Sequence, residues 1–98
     1  MALQPLGEQE IDAALATLAP VWRRDGNAIV ADLECSDFAA AIALVNAIAA
    51  EAERADHHPD ILIHGYRRLT ITLSTHAAGG LTQRDFALAG AIDALAVG

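Results

Sequence analysis

Residues 53–76 read ERADHHPDILIHGYRRLTITLSTH, and the fold turns on how this stretch divides. Glu53 to Ala55 close a run with helical spacing. Proline disfavours α geometry in the residue before it, so Pro59 obliges His58 to leave the helix. Asp60 to Tyr66 and Leu69 to Thr75 then read as the two strands of a hairpin that turns near Arg67-Arg68. In the second strand Leu69, Ile71 and Leu73 alternate with Thr70, Thr72 and Ser74, which gives one apolar and one polar face. A helix that meets a half-buried hairpin at a proline corner points to helices laid on an antiparallel sheet.

The flanking sequence fits this plan. Ser36 or Asp37 caps the helix, whose Phe38, Ile42, Val45, Ile48 and Ala52 form one stripe. Before it, Val21 to Arg24 and Ala28 to Leu33 flank Asp25-Gly26-Asn27, a strong turn signal, and read as a first hairpin. Glu8 to Ala19 carries Ile11, Leu15 and Leu18 on one helical face, and Pro20 ends it. Gly79-Gly80 make a turn, and Thr82-x-x-Asp85 has the form of a capping box that opens a last helix ending near Ala96. The order α-β-β-α-β-β-α predicts one α+β domain over residues 1–98: a four-stranded antiparallel sheet with helices on one face. The last helix has Leu88, Ile92 and Leu95 on one side, with Phe86, Ala89, Ala91 and Ala96 spread around it. It lacks the polar face of a surface helix, which predicts packing on a neighbouring subunit. The blander reading is a terminal helix whose alanines are exposed.

Composition narrows the function. A 98-residue chain suits a single domain. It buries roughly 60–65% of its unfolded surface, a thin margin that oligomerisation would widen. Its 54% hydrophobic content is rich in alanine and only 4% of the chain is aromatic. A net charge of −7 argues against nucleic acid. The basic residues are six arginines, and the pairs Arg23-Arg24 and Arg67-Arg68 read as turn or strand-edge charges. No apolar run reaches the ~20 residues that span a membrane, and Met1 to Glu10 lacks the pattern of a signal peptide. The single Cys35 rules out an internal disulfide framework and reads as a small strand-end hydrophobe. A cytoplasmic enzyme is expected.

The histidines suggest its chemistry. His57 and His58 stand at the helix–strand corner, where Pro59 provides the bend, and Glu53 lies one helical turn before His57, in place to orient it. In a hairpin the end of the second strand lies beside the start of the first, so His76 returns to the neighbourhood of Asp60 and His57-His58. Three explanations compete. Histidines with carboxylates can bind zinc, but the His-Glu-x-x-His spacing is missing. Any one histidine can simply cap a corner, which suits the mid-strand His64. Three converging imidazoles fit general acid–base catalysis on a bound small molecule. A nucleophile-elbow motif for covalent catalysis is absent from the sequence.

The pattern Glu53-x3-His57-His58-Pro59-x6-Tyr66-x9-His76-x8-Asp85 closely resembles the signature of the pterin-4a-carbinolamine dehydratase family, also known as the dimerisation cofactor of a homeodomain transcription factor. The likeness runs from Trp22 to the last helix, through the Leu-Ser-Thr-His run and Gly-Gly-Leu-Thr-x-x-Asp-Phe. It implies the α+β fold, dimers or tetramers, and loss of water from a 4a-hydroxytetrahydropterin to give the quinonoid dihydropterin. By this resemblance His57, His58 and His76 form the catalytic set. His57 and His76 would exchange protons with the substrate while His58 orients the pterin. Glu53 and Asp60 would tune or position the histidines, Ser74 and Thr75 backbone groups would bind the pterin edge, and Asp85 would hold the helix start beside the site. Neither a metal nor an organic cofactor is implied. Two departures stand out. Ile61 occupies a place where many relatives carry an aromatic residue, and Ala31 and Leu33 stand in a stretch where many carry phenylalanine. Tyr66 keeps the expected aromatic, as a strand residue that suits core or interface as well as pterin binding. The rivals to this reading are a non-enzymatic dimerisation or binding module on the same fold and an enzyme for another pterin.

Overall fold

The structure is a computed structural model that describes residues 4–97. Its elements are α1 (Glu8–Ala16), β1 (Trp22–Asp25), β2 (Ala28–Glu34), α2 (Phe38–Ala55), β3 (Asp60–His64), β4 (Arg68–Leu73), a 3₁₀ turn (His76–Ala78) and α3 (Gln83–Val97). The four strands form one antiparallel sheet in the order β1-β2-β4-β3. The expected α+β architecture is therefore the observed one.

Alternation in the strands decides which face is covered. Ile29 and Ala31 of β2 and Leu69, Ile71 and Leu73 of β4 point to the helices and are fully buried. There they join Ala41, Ile48 and Ala52 of α2, Phe86, Leu88, Ala89 and Ile92 of α3, and Ile11 of α1 in one core. Phe38, read as part of the α2 stripe, is exposed instead, and Ala41 holds the buried position in the first turn. The apolar side of α3 finds its partners within the chain, so its composition does not require a neighbouring subunit. What α3 leaves exposed is Gln83, Arg84, Ala87, Gly90, Ala94 and Ala96. Asp93 also has an internal role, as it accepts hydrogen bonds from Ala19 N–H at 2.9 Å and from Trp22 Nε1 at 2.7 Å. These bonds tie the approach to β1 onto α3.

Several boundaries differ from the sequence reading. α1 ends at Ala16 rather than Ala19, because Thr17 and Leu18 close it with i→i+3 bonds to Ala14 and Leu15. Pro20 keeps Ala19 out of helical geometry, so the last turn tightens early. The first hairpin has Asp25 opposite Ala28, which leaves a two-residue loop with Gly26 at φ 60°. The second turns at Gly65 and Tyr66, both at φ 54°, with His64 opposite Arg68. Tyr66 is thus an exposed turn residue, not a strand residue. Among the described residues no helix is long and apolar enough to cross a membrane.

Candidate active site

The corner between α2 and β3 is built by Asp56. It is left-handed at φ 50°, and its N–H and that of His57 close back on the last helical carbonyls, with His57 N to Ala52 O at 3.1 Å. This is a Schellman ending with aspartate where glycine is usual; a short polar side chain tolerates the left-handed region. The bend therefore comes before the histidines, and Pro59 only sets the extended approach to β3. That shift changes the partners of the histidines.

His57 turns inward and is 8% exposed, with its Nε2 2.7 Å from Oδ1 of Asp85, which is fully buried. The other oxygen, Oδ2 of Asp85, accepts from Thr75 Oγ1 at 2.7 Å and from Thr82 N–H at 2.9 Å. Thr75 gives its only hydroxyl proton to Asp85, so Thr82 Oγ1 donates to Thr75 Oγ1 across 2.9 Å. Arg84 N–H in turn donates to Thr82 Oγ1 at 3.2 Å. Every bond in this chain has a defined direction. It ends on a carboxylate that makes His57 carry its proton on Nε2 and leaves Nδ1 as the nitrogen available for chemistry.

Glu53 does not orient His57 as the helical spacing suggested. It pairs with Nε2 of His58, which is exposed. The left-handed Asp56 takes His57 off the helical face that Glu53 occupies, so the residue one turn on loses the contact and the next gains it. Asp60 opens β3 with an exposed side chain that makes no hydrogen bond or ion pair among the described residues. His76 does not close a strand. β4 ends at Leu73, and His76 starts the 3₁₀ turn, exposed, with its Nε2 3.4 Å from Ser74 Oγ. The register pairs Asp60 with Thr72 and so brings Ser74 level with His58, but among the described residues no hydrogen bond joins His76 to His57 or His58.

The side chain of Thr75 faces the buried carboxylate, and its carbonyl accepts from Ala78 N–H at 3.0 Å inside the turn. That carbonyl is therefore already engaged. Thr82 and Arg84 were not among the sequence candidates. The Thr82-x-x-Asp85 pattern marked the cap, and Asp85 does reach back to the Thr82 N–H, but nothing local in the sequence tells that the same carboxylate holds His57. Arg84 adds a clamp, with Nη2 3.4 Å from the carbonyl of Ala55 at the end of α2.

Residues 4–95 match the family described as Pterin 4 alpha carbinolamine dehydratase. The chain belongs to that family. A protein of Nocardia farcinica, provisionally named a pterin-4-alpha-carbinolamine dehydratase, is 51% identical over 96 residues, covering 98% of this chain and 99% of its own. One from Chloroflexus aggregans with the same name is 52% identical over 89 residues, covering 90% and 93%. Among solved structures, a transcriptional coactivator/pterin dehydratase from Brucella melitensis superposes with a TM-score of 0.89 at 33% identity, over 95% of this chain and 99% of that one. A pterin dehydratase-like protein described as a RuBisCO assembly factor in the alpha-carboxysome gives 0.64 at 29% identity, over 76% and 88%.

Proposed function

We propose that this member of the pterin-4a-carbinolamine dehydratase family removes water from a 4a-hydroxytetrahydropterin by histidine acid–base catalysis, within tetrahydropterin recycling. Hydroxide is a poor leaving group near neutrality, so an imidazolium gives a proton to the 4a-hydroxyl as the C4a–O bond breaks. The N5–H proton passes to a base as the C4a=N5 bond forms. Water and the quinonoid dihydropterin result, and the protein ends with the protons it began with. His57 and His76 exchange these protons, and His58, held by Glu53, orients the ring. The observation that carries this reading is the buried His57–Asp85 pair, which fixes the imidazole with Nδ1 free. A histidine that only capped a corner would not need a buried carboxylate whose every bond is directed.

The chain is proposed to act as a homodimer or homotetramer in the cytoplasm, with no metal or organic cofactor. The test is the dehydration of freshly generated 4a-hydroxytetrahydropterin, followed optically beside the spontaneous rate. His57→Ala and His76→Ala should each lower turnover by roughly 10²–10⁴-fold, the usual range for losing a general acid or base, and both should keep the wild-type circular dichroism. The rival is a binding module, as the assembly-factor description of one structural neighbour suggests for that protein. A well-folded wild type with no acceleration would favour the rival.

A further inference from the structure

His76 is held differently from the other two histidines of the site. His57 leans on the buried Asp85, and His58 pairs with Glu53. The ring of His76 is exposed, and its one polar contact among the described residues is Ser74 Oγ at 3.4 Å, long for a hydrogen bond. Its place is therefore set by the backbone of the 3₁₀ turn that carries it. That turn closes on itself, with Ala78 N–H bonded to Thr75 O and Gly79 N–H to His76 O, each at 3.0 Å. Upstream it is moored by the Thr75 hydroxyl on Asp85. Downstream the chain runs through the buried Gly80 and Leu81, and there the mooring comes from the segment before α1. Leu6 N–H donates to the Leu81 carbonyl at 2.8 Å, and the Leu6 side chain packs against the core. Pro5 lies over Gly80 so closely that a Cβ there would sit 3.3 Å from Pro5 Cβ. Gly80 is not left-handed, so the space under Pro5 is what a side chain would contest. The segment itself is fixed at both residues' flanks. The ring of Pro5 locks its φ, and Gly7 opens α1 with its N–H on Glu10 Oε1 at 3.0 Å, one turn before the buried Ile11.

We propose that Pro5 and Leu6 form a strap that positions His76 for proton transfer, acting through Gly80 and Leu81. This role rests on the dehydratase reading, in which His76 exchanges a proton with the substrate. Proton transfer needs heavy atoms within about 3 Å of each other. A misplacement of about 1 Å can cost roughly 100-fold in rate. A side chain with a firm partner of its own tolerates a slack backbone. His76 lacks such a partner, so slack in its turn passes straight to the imidazole. His57 is anchored through its ring to Asp85 and stays in place when the strap is released. Pro5 and Leu6 are therefore positioning residues for one histidine of the three. A packing role alone would confine their effect to stability and leave the turnover of folded protein unchanged.

The experiment compares Leu6→Ala, which keeps the N–H and loses the packing, with Leu6→Pro, which loses both. Each is assayed for dehydration of 4a-hydroxytetrahydropterin once its circular dichroism matches wild type. The ring signals of His57 and His76, assigned with the two alanine variants, are read by NMR. Leu6→Pro should turn over about 10-fold more slowly than Leu6→Ala, through kcat rather than KM, with the His76 signals displaced and those of His57 unmoved. Equal turnover in the two Leu6 variants, with an active wild type, would overturn the strap and leave the dehydratase reading standing. Displacement of both histidines would mark a general loss of packing and overturn it too. If Leu6→Pro does not fold, Gly80→Ala decides, because its Cβ presses on Pro5. Its turnover should fall several-fold, and Pro5→Gly in the same chain should restore it. Wild-type turnover in Gly80→Ala, or no rescue by Pro5→Gly, would overturn the strap. A wild type that does not accelerate the reaction would overturn the dehydratase reading, and the strap with it.

Discussion

Asp85 does two things with one carboxylate. It caps the start of α3 through the Thr82 N–H and fixes His57 through the opposite oxygen. A fully buried carboxylate is tolerable because three donors within 2.9 Å replace its water. Asp85→Asn separates the two roles. The Thr82 N–H can only donate, so the amide oxygen must take that side and the amide N–H must face His57. The imidazole then has to accept at Nε2 and carry its proton on Nδ1, the wrong tautomer for a base at that atom. Turnover should fall by about 10²–10⁴-fold with the circular dichroism unchanged, an outcome read by the dehydration assay. Wild-type turnover in Asp85→Asn would sink the tautomer argument. Asp85→Ala should also lower Tm, since each donor left without an acceptor costs about 1–3 kcal/mol. The sequence made His57 and Asp85 legible as separate candidates. Their bond was not legible, because 28 residues separate them and helical spacing offered Glu53 as a nearer partner. Only the left-handed Asp56 reassigns Glu53 to His58, and aspartate is an uncommon marker of that conformation.

Between elements, the solvent face of the sheet carries a polar ladder that crosses all four strands. Arg23 of β1 donates to Asp32 of β2 at 2.7 Å, Thr70 of β4 donates to the other Asp32 oxygen at 2.7 Å, and His64 of β3 lies 3.0 Å from Thr70 Oγ1. Since the Thr70 proton goes to Asp32, His64 is the donor in the last step. The Thr70 hydroxyl first, and then Arg23, hold the Asp32 carboxyl below the ordinary carboxylate range. A depressed folded-state pKa means that the unfolded chain takes up the proton more readily. The ladder's contribution is therefore complete above the unfolded value of about 4 and is lost as pH falls through the lower folded value. Calorimetry should show a Tm gap between wild type and Asp32→Asn that is largest near neutrality and closes on acidification below about pH 4. A gap independent of pH would exclude charge as its origin. The strands that carry this ladder were readable from their alternation alone. The turn at Gly65-Tyr66 was not, because a tyrosine with positive φ carries no compositional mark and the run Ile61 to Tyr66 looks extended throughout. The early end of α1 was hidden in the same way, since Thr17 and Leu18 suit a helix and only Pro20 hints at the tightened turn.

Over the whole molecule, the two sheet edges are unequal. β1 presents Arg23, Arg24 and Asp25, charges that discourage another strand from pairing. β3 is the opposite edge, pairs only with β4 among the described residues, and holds Leu62 at its centre, 59% exposed. Tyr66 at the adjoining turn is 63% exposed, so two of the four exposed large apolar side chains lie at this edge, the others being Val21 before β1 and Phe38 at the start of α2. An unguarded strand edge with an apolar side chain invites pairing with a second chain. If the protein is a homo-oligomer held here, its Tm should rise with protein concentration, because association stabilises the folded state by mass action. Leu62→Lys places a charge on that edge and should move the sedimentation profile toward the monomer and flatten the concentration dependence of Tm. His57, Asp85 and Thr75 lie in the interior of the single chain, so their hydrogen bonds should persist in the separated subunit. Wild type that sediments as a monomer at every concentration would refute the oligomer, while a Leu62→Lys chain that assembles like wild type would move the interface away from β3.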